Sequence, residues 1–120
     1  RKLAYIEPEK RLNSFNRMEL TYMGVGKTRK WERIMTYGPK LVENCIQAIA
    51  RDILAEAMLR VDATGFDIVA HVHDEMIVEV PNGKSSVKEL CDMMAESPDW
   101  VDDKLPLRAD GYECEWYRKD

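Results

Sequence analysis

One stretch dominates what this chain can become. Between Gly38-Pro39 and Gly65, the residues Val42, Ile46, Ile49, Ala50, Ile53, Leu54, Ala57 and Val61 recur at helical spacing on one wide apolar stripe. Pro suits the first position of a helix and Gly the position just past its end, so the pattern predicts a helix from about Pro39 to Asp62 with that stripe as core. Lys40, Asn44, Gln47 and Arg51, at i, i+4, i+7 and i+11, share a second, polar stripe. Four long donor-bearing side chains so aligned either grip an anionic backbone or face water. Periodicity alone favours water.

The flanking segments read as short strands and turns. Lys2 to Glu7 is extended and ends at Pro8, and Pro8 to Asn16 reads as a polar connection. From Leu20 to Tyr37 two extended runs flank Gly24-Val-Gly26-Lys-Thr-Arg-Lys30, a hairpin with a basic tip whose glycines would supply positive φ. Beyond the helix, Asp67 to Pro81 carries a second hairpin. Ile68, Ala70 and Val72 alternate with Val69, His71 and His73, and Met76, Val78 and Val80 alternate with Ile77 and Glu79, around an acidic two-residue turn, Asp74-Glu75. Pro81-Asn82-Gly83 closes it. Ser86-x-x-Glu89 is a capping box opening a short amphipathic helix through Val87, Leu90, Cys91 and Met94. Residues 98–106 read as irregular, and Tyr112, Cys114 and Trp116 alternate with Glu113 and Glu115 as a terminal strand. The sum is one unit of the α+β class, a small antiparallel sheet with its acidic hairpin packed on one long and one short helix.

Composition narrows the function. With 120 residues, 45% hydrophobic and 33% charged, six Gly and five Pro, the chain is neither a collagen, a disordered tail nor a disulfide scaffold. A net charge of −4 argues against a polyanionic partner until it is split. Residues 1–60 carry 12 basic and 7 acidic side chains, whereas residues 61–120 carry 6 and 15. Such asymmetry signals a polyanion or metal site. Cys45, Cys91 and Cys114 are far apart with no C-x-x-C pair, as expected of reduced intracellular thiols. No apolar run could span a bilayer and no signal-like segment is visible, so a cytoplasmic location is expected. The sequence opens on Arg1-Lys2-Leu3 without an initiator Met, and reads as a piece of something longer.

The chemistry concentrates in His71-Val72-His73-Asp74-Glu75. Adjacent carboxylates at a rigid hairpin tip suit a hard cation such as Mg²⁺, which takes one or two carboxylates and shares its other positions with water or phosphate. Acidic turns are also ordinary turns. His-x-His-Asp resembles metallohydrolase zinc motifs too, but these are the chain's only two histidines and no third imidazole can follow.

The run His71-Val-His73-Asp74-Glu75-Met-Ile-Val-Glu79-Val-Pro resembles motif C of the family A DNA polymerases, the DNA polymerase I type. Upstream, Glu43-Asn44-Cys-Ile-Gln47-Ala-Ile-Ala50-Arg51-Asp52-Ile resembles the long palm helix that precedes motif C. The ending, Leu105-Pro-Leu-Arg108-Ala-Asp110-Gly-Tyr-Glu-Cys-Glu-Trp-Tyr, is similar to that of phage and prophage members.

The resemblance implies that Asp74 is a catalytic, metal-binding carboxylate, that Glu75 contributes to the metal more weakly, and that His73 lies near the primer terminus. Gln47 matches a glutamine that touches the minor groove. Arg51 and Lys40 are backbone contacts at most, and Asn44 matches less closely because its spacing to Gln47 is one residue short. The implied reaction is template-directed transfer of a nucleotide from a dNTP to a primer 3′-hydroxyl with two Mg²⁺ ions. The implied partners are primer-template DNA, dNTP and the N-terminal remainder of the polymerase. The family's motif A aspartate and motif B helix are absent from these residues. The chain therefore reads as a C-terminal palm fragment, inactive alone, binding Mg²⁺ weakly at best, and prone to self-associate through an uncovered strand edge. The alternatives are a non-catalytic nucleic-acid-binding module, which the polar stripe and basic tip fit, and a small metallohydrolase.

Overall fold

Seven elements follow one another along the chain in a computed structural model that describes residues 2–102 and 105–118. β1 (Ile6–Leu12), β2 (Met18–Val25) and β3 (Trp31–Thr36) form an antiparallel meander in the order β1-β2-β3. α1 (Gly38–Ala63) follows, then β4 (Asp67–Val72) and β5 (Glu75–Glu79) as a separate two-stranded sheet, and α2 (Val87–Ala95). The class is α+β, with the strands divided between two sheets rather than gathered in one. Contacts group the chain into two units, residues 1–48 and 49–120.

In the first unit the meander starts later than its sequence suggests. Pro8 lies within β1 instead of ending a strand before it. The ladder shows why: the register shifts between Ile6 and Glu9, with Glu7 at φ 47. An edge-strand bulge is where a residue lacking an N–H can be tolerated. The β1–β2 turn is organised by Asn13, whose Oδ1 accepts from the backbone of Phe15 at 2.9 Å and Arg17 at 3.0 Å, and whose Nδ2 donates to Glu19 at 2.6 Å. At mid-sheet, buried Thr21 donates to the Glu9 carbonyl at 2.9 Å. Arg33 reaches across from β3 to the Glu7 carbonyl at 3.0 Å and to the Glu9 carboxylate at 3.3 Å. Tyr5 meets Tyr22 edge-on with ring centroids 5.0 Å apart. Beneath them lies an open cavity of about 240 Å³, lined by both rings, Leu20, Leu41 and Thr36. Thr36 is buried and its hydroxyl has no hydrogen-bond partner among the described residues.

α1 runs one residue beyond the expected bounds at each end and is closed by Gly65 at φ 87, whose N–H bonds the Asp62 carbonyl at 2.9 Å. Its apolar stripe is only partly a core. Leu54, Ala57 and Val61 are buried, but Val42, Ile46 and Ile49 are 58%, 60% and 47% exposed. Helical spacing identifies which face is apolar without saying what covers it.

In the second unit Arg60 ties α1 to the end of α2. Its Nη1 donates to the carbonyls of Met93 at 2.6 Å and Glu96 at 3.1 Å, satisfying groups that the last turn of α2 leaves without partners. Trp100 donates to the Glu56 carboxylate at 2.6 Å. α2 starts as its capping box implies: Ser86 Oγ accepts from Glu89 N–H at 3.3 Å. Glu89 differs from the standard box by accepting from the neighbouring Ser85 hydroxyl, at 2.8 Å. Gly111 crosses closely over α2, where a Cβ would lie 3.1 Å from Val87 and 3.3 Å from Cys91. The terminal strand expected at Tyr112, Cys114 and Trp116 does not form; residues 105–118 hold no strand. Alternation there has no ladder to join, and Tyr112 instead donates its hydroxyl to the Arg118 carbonyl. Residues 98–102 are irregular as expected, while 103 and 104 of that stretch lie outside the described residues.

Candidate functional site

The acidic hairpin is tighter than its sequence suggests, and its turn sits one residue earlier. Val72 pairs with Glu75, so the two loop residues are His73 and Asp74, and Glu75 opens β5. Two-residue hairpin loops need positive φ because only the primed turns match the strand twist. His73 supplies it at φ 53, a region where Gly is the ordinary occupant. Asp74 projects exposed at the tip, whereas Glu75 is half-buried on the first rung.

A second departure changes the faces. The register shifts between Ile68 and Ala70, leaving Val69 as a bulge. Strict alternation would set His71 opposite Ile68. Cross-strand partners share a face, so the observed pairs Ile68–Val78 and His71–Met76 place Ile68 and His71 on the same side. Ala70, Val72, Ile77 and Glu75 occupy the other. His73 is in the loop, so the two histidines do not form a pair along one strand face. Both strands of this sheet have an open edge among the described residues.

The polar stripe of α1 forms as its spacing requires, though its members differ in freedom. Lys40 pairs with Glu43 at 2.8 Å, and that hydrogen bond and charge raise the Lys40 pKa above the ordinary lysine value. Asn44 is half-buried and donates to the Tyr5 hydroxyl at 3.2 Å, so its amide helps hold the first unit together. Gln47 and Arg51 are exposed. Lys40, Asn44, Gln47 and Arg51 thus share α1, while His73, Asp74 and Glu75 share the β4–β5 tip. Sequence reasoning missed Tyr5 as the partner of Asn44. Nothing in a distant tyrosine signals it.

The donor chemistry of the tip can be tested against a metal. Asp74 and Glu75 offer hard carboxylate oxygens, the kind that Mg²⁺ takes one or two of while keeping water and phosphate in its other positions. Among the described residues no three His, Cys, Asp or Glu side chains converge on one point. A closed zinc site needs three or four such ligands, whereas a Mg²⁺ shared with water and phosphate needs one or two. Cys45, Cys91 and Cys114 are free thiols. No helix among the described residues is long and apolar enough to cross a membrane.

Comparison with known proteins gives one informative likeness. The whole chain is 45% identical, over 121 aligned positions, to part of a DNA polymerase of Bacillus phage SP02. The chain spans about a fifth of that polymerase's length (18%). No protein-family model matches it, and no solved structure does either.

Proposed function

We propose that this chain is the motif C-bearing C-terminal part of the palm of a family A DNA polymerase, and that Asp74 is a metal-binding carboxylate of its active site. The observation that carries the reading is the union of two facts. The likeness to a phage DNA polymerase runs the full length of the chain. The residues His73 and Asp74 then form a two-residue hairpin loop, with Asp74 exposed at its tip and Glu75 on the first rung.

Asp74 and Glu75 would hold Mg²⁺. When bound in such sites, the ion lowers the pKa of the attacking hydroxyl and offsets charge on the phosphates. The residues of the chain have their own tasks. The two strands fix the Asp74 carboxylate at the tip, and the first-rung pairing of Glu75 with Val72 restrains its neighbour. His73, held at positive φ, faces the primer terminus in this reading. Gln47 and Arg51 contact the duplex from the α1 stripe, with Lys40 and Asn44 in supporting positions because their side chains are already engaged. The open edges of the β4–β5 sheet support the view that further polymerase strands complete it, since two strands alone are marginal.

The test uses the intact polymerase that carries this segment. Asp74→Asn is expected to lower primer extension by at least about 100-fold, the scale of losing one preorganised electrostatic contact. Primer-template affinity, read by anisotropy titration, should stay within a few-fold. Normal extension by the variant refutes Asp74 as a ligand. The isolated chain is expected to show no template-directed extension with Mg²⁺ and dNTPs, and robust extension would overturn the fragment reading.

A further inference from the structure

We propose that the β2–β3 turn is a binding site for single-stranded nucleic acid, with Lys27, Arg29 and Lys30 holding phosphates and Trp31 stacking on a base. The turn is closed by the last rung of the ladder, Val25 opposite Trp31, and by the Gly26 N–H bonding the Lys30 carbonyl at 2.9 Å. Three cations stand in the five residues between. All three are exposed, and among the described residues none has an acidic partner. The contrast with Arg11 and Arg33, both paired in the same sheet, shows that acids were available nearby. One carboxylate belongs to the turn: Glu32 leans over Gly26, where a Cβ would overlap it. The segment from Gly26 to Glu32 keeps a net charge of +2.

Two independent observations point to a ligand rather than to a merely solvated turn. Arg29 sits at φ 60, a conformation that a long side chain rarely takes, although Gly24 and Gly26 lie within the same hairpin at ordinary φ. Such strain costs free energy that must be offset elsewhere, and it clusters at sites that hold ligands. Trp31 is 57% exposed on the rung that closes the loop. A large indole beside three unpaired cations is the pairing used to bind single strands, with charge tracking the phosphates and the aromatic face taking an unstacked base. Duplex DNA would satisfy the cations but leave the indole without a base. An acidic peptide would do the same.

The proposal gains its setting from the DNA polymerase reading, but its experiment needs no turnover. A short oligo-dT is titrated into this chain carrying Trp100→Phe and Trp116→Phe, in EDTA, with Trp31 fluorescence and anisotropy as readouts. Quenching of Trp31 is expected. The logarithm of affinity should fall with the logarithm of salt with a slope of about −2, from about −0.7 per phosphate contact. Replacing Lys27, Arg29 and Lys30 together by Ala should flatten that slope to near zero and lower affinity on the order of 100-fold at 50 mM salt. Trp31→Ala should lower it roughly 10-fold with the slope unchanged. Arg29→Gly guards against misfolding as an explanation: it should weaken binding while raising the urea midpoint, opposite directions that no purely structural role produces. An unquenched Trp31, a slope unmoved by the triple variant, or equal affinity for duplex DNA or poly-glutamate overturns the proposal. Because metal and nucleotide are excluded, that outcome leaves the role of Asp74 standing, and failure of the Asp74 test leaves this one standing.

Discussion

The two hairpins of this chain solve the same backbone problem with opposite charge. β2–β3 closes over a five-residue turn with three cations, and β4–β5 over two residues, one of them Asp74, with Glu75 on the first rung. Each places an L-residue with a large side chain in the left-handed region, Arg29 at φ 60 and His73 at φ 53. Glycines occur in or near the first hairpin, yet neither Gly24 nor Gly26 takes the positive φ. The lesson is that the residue holding a turn's unfavourable angle need not be the one best suited to it. Where it is not, the side chain is the reason to look. The hairpins also differ in support. The first is braced by a third strand and by Arg33, while the second stands as two strands with open edges among the described residues.

The contrast can be broken most severely by length. One glycine inserted between His73 and Asp74 should lower extension by the intact polymerase at least about 100-fold, because it moves the tip carboxylate off a preorganised position. The same insertion after Thr28 should cost less than about 10-fold, since lengthening a flexible loop is cheap. Equal effects would mean that the tight turn is not what aims Asp74.

Support is the next contrast. Arg33→Met should cost about 2 kcal/mol in urea unfolding, the scale for hydrogen bonds to a charged group. A change below about 0.5 kcal/mol would show that the meander does not depend on this brace. Smaller still, Arg29→Gly and His73→Gly should each stabilise by about 1 kcal/mol by removing the left-handed penalty. If only one does, the turns are not equivalent in strain and the parallel drawn above fails.

The pH dependence should be slightest. Lys40 is raised by its hydrogen bond to Glu43 and Lys88 by its hydrogen bond to Asp92 at 2.5 Å. A raised lysine contributes stability that is fully present below its unfolded pKa of 10.5 and is lost as pH rises through the folded value. Both pairs are exposed, so the melting temperature should be level with respect to these lysines until pH exceeds 10.5 and then fall only slightly. A loss traceable to either pair at lower pH, read by Lys40→Met and Lys88→Met, would contradict the assignment.

Much of the fold could be read from the residues. The long helix came within one residue at each end because its start, period and stop all agree. The capping box located α2, and the β2–β3 hairpin followed from two extended runs around a basic tip. What escaped shares a physical cause: it depends on partners that lie far away in sequence. Alternation at Tyr112 to Trp116 reads as a strand, but a strand exists only where another accepts it. The stripe through Val42, Ile46 and Ile49 is apolar in sequence and exposed in structure. The one-residue slip of the acidic turn followed from treating the two acids as the loop, when the register leaves Glu75 on a rung. In the candidate site, residue types were legible and their freedom was not: Asn44 is engaged by Tyr5 while Gln47 and Arg51 are exposed.

The bulge at Val69 has a consequence for how such chains can change over time. Because Val69 is the one residue of β4 without a cross-strand partner, loss of a single codon at that position would straighten the ladder and leave Ile68 opposite Val78 and His71 opposite Met76, with no face turned over. The strand therefore carries one residue of slack, and it is a single loss from β5, which has none, that would slide the side chains to the other face. Gaps should therefore be scarce within residues 75–79 in any lineage that keeps the tip at work, and more common at Val69 and in the turn at residues 26–30.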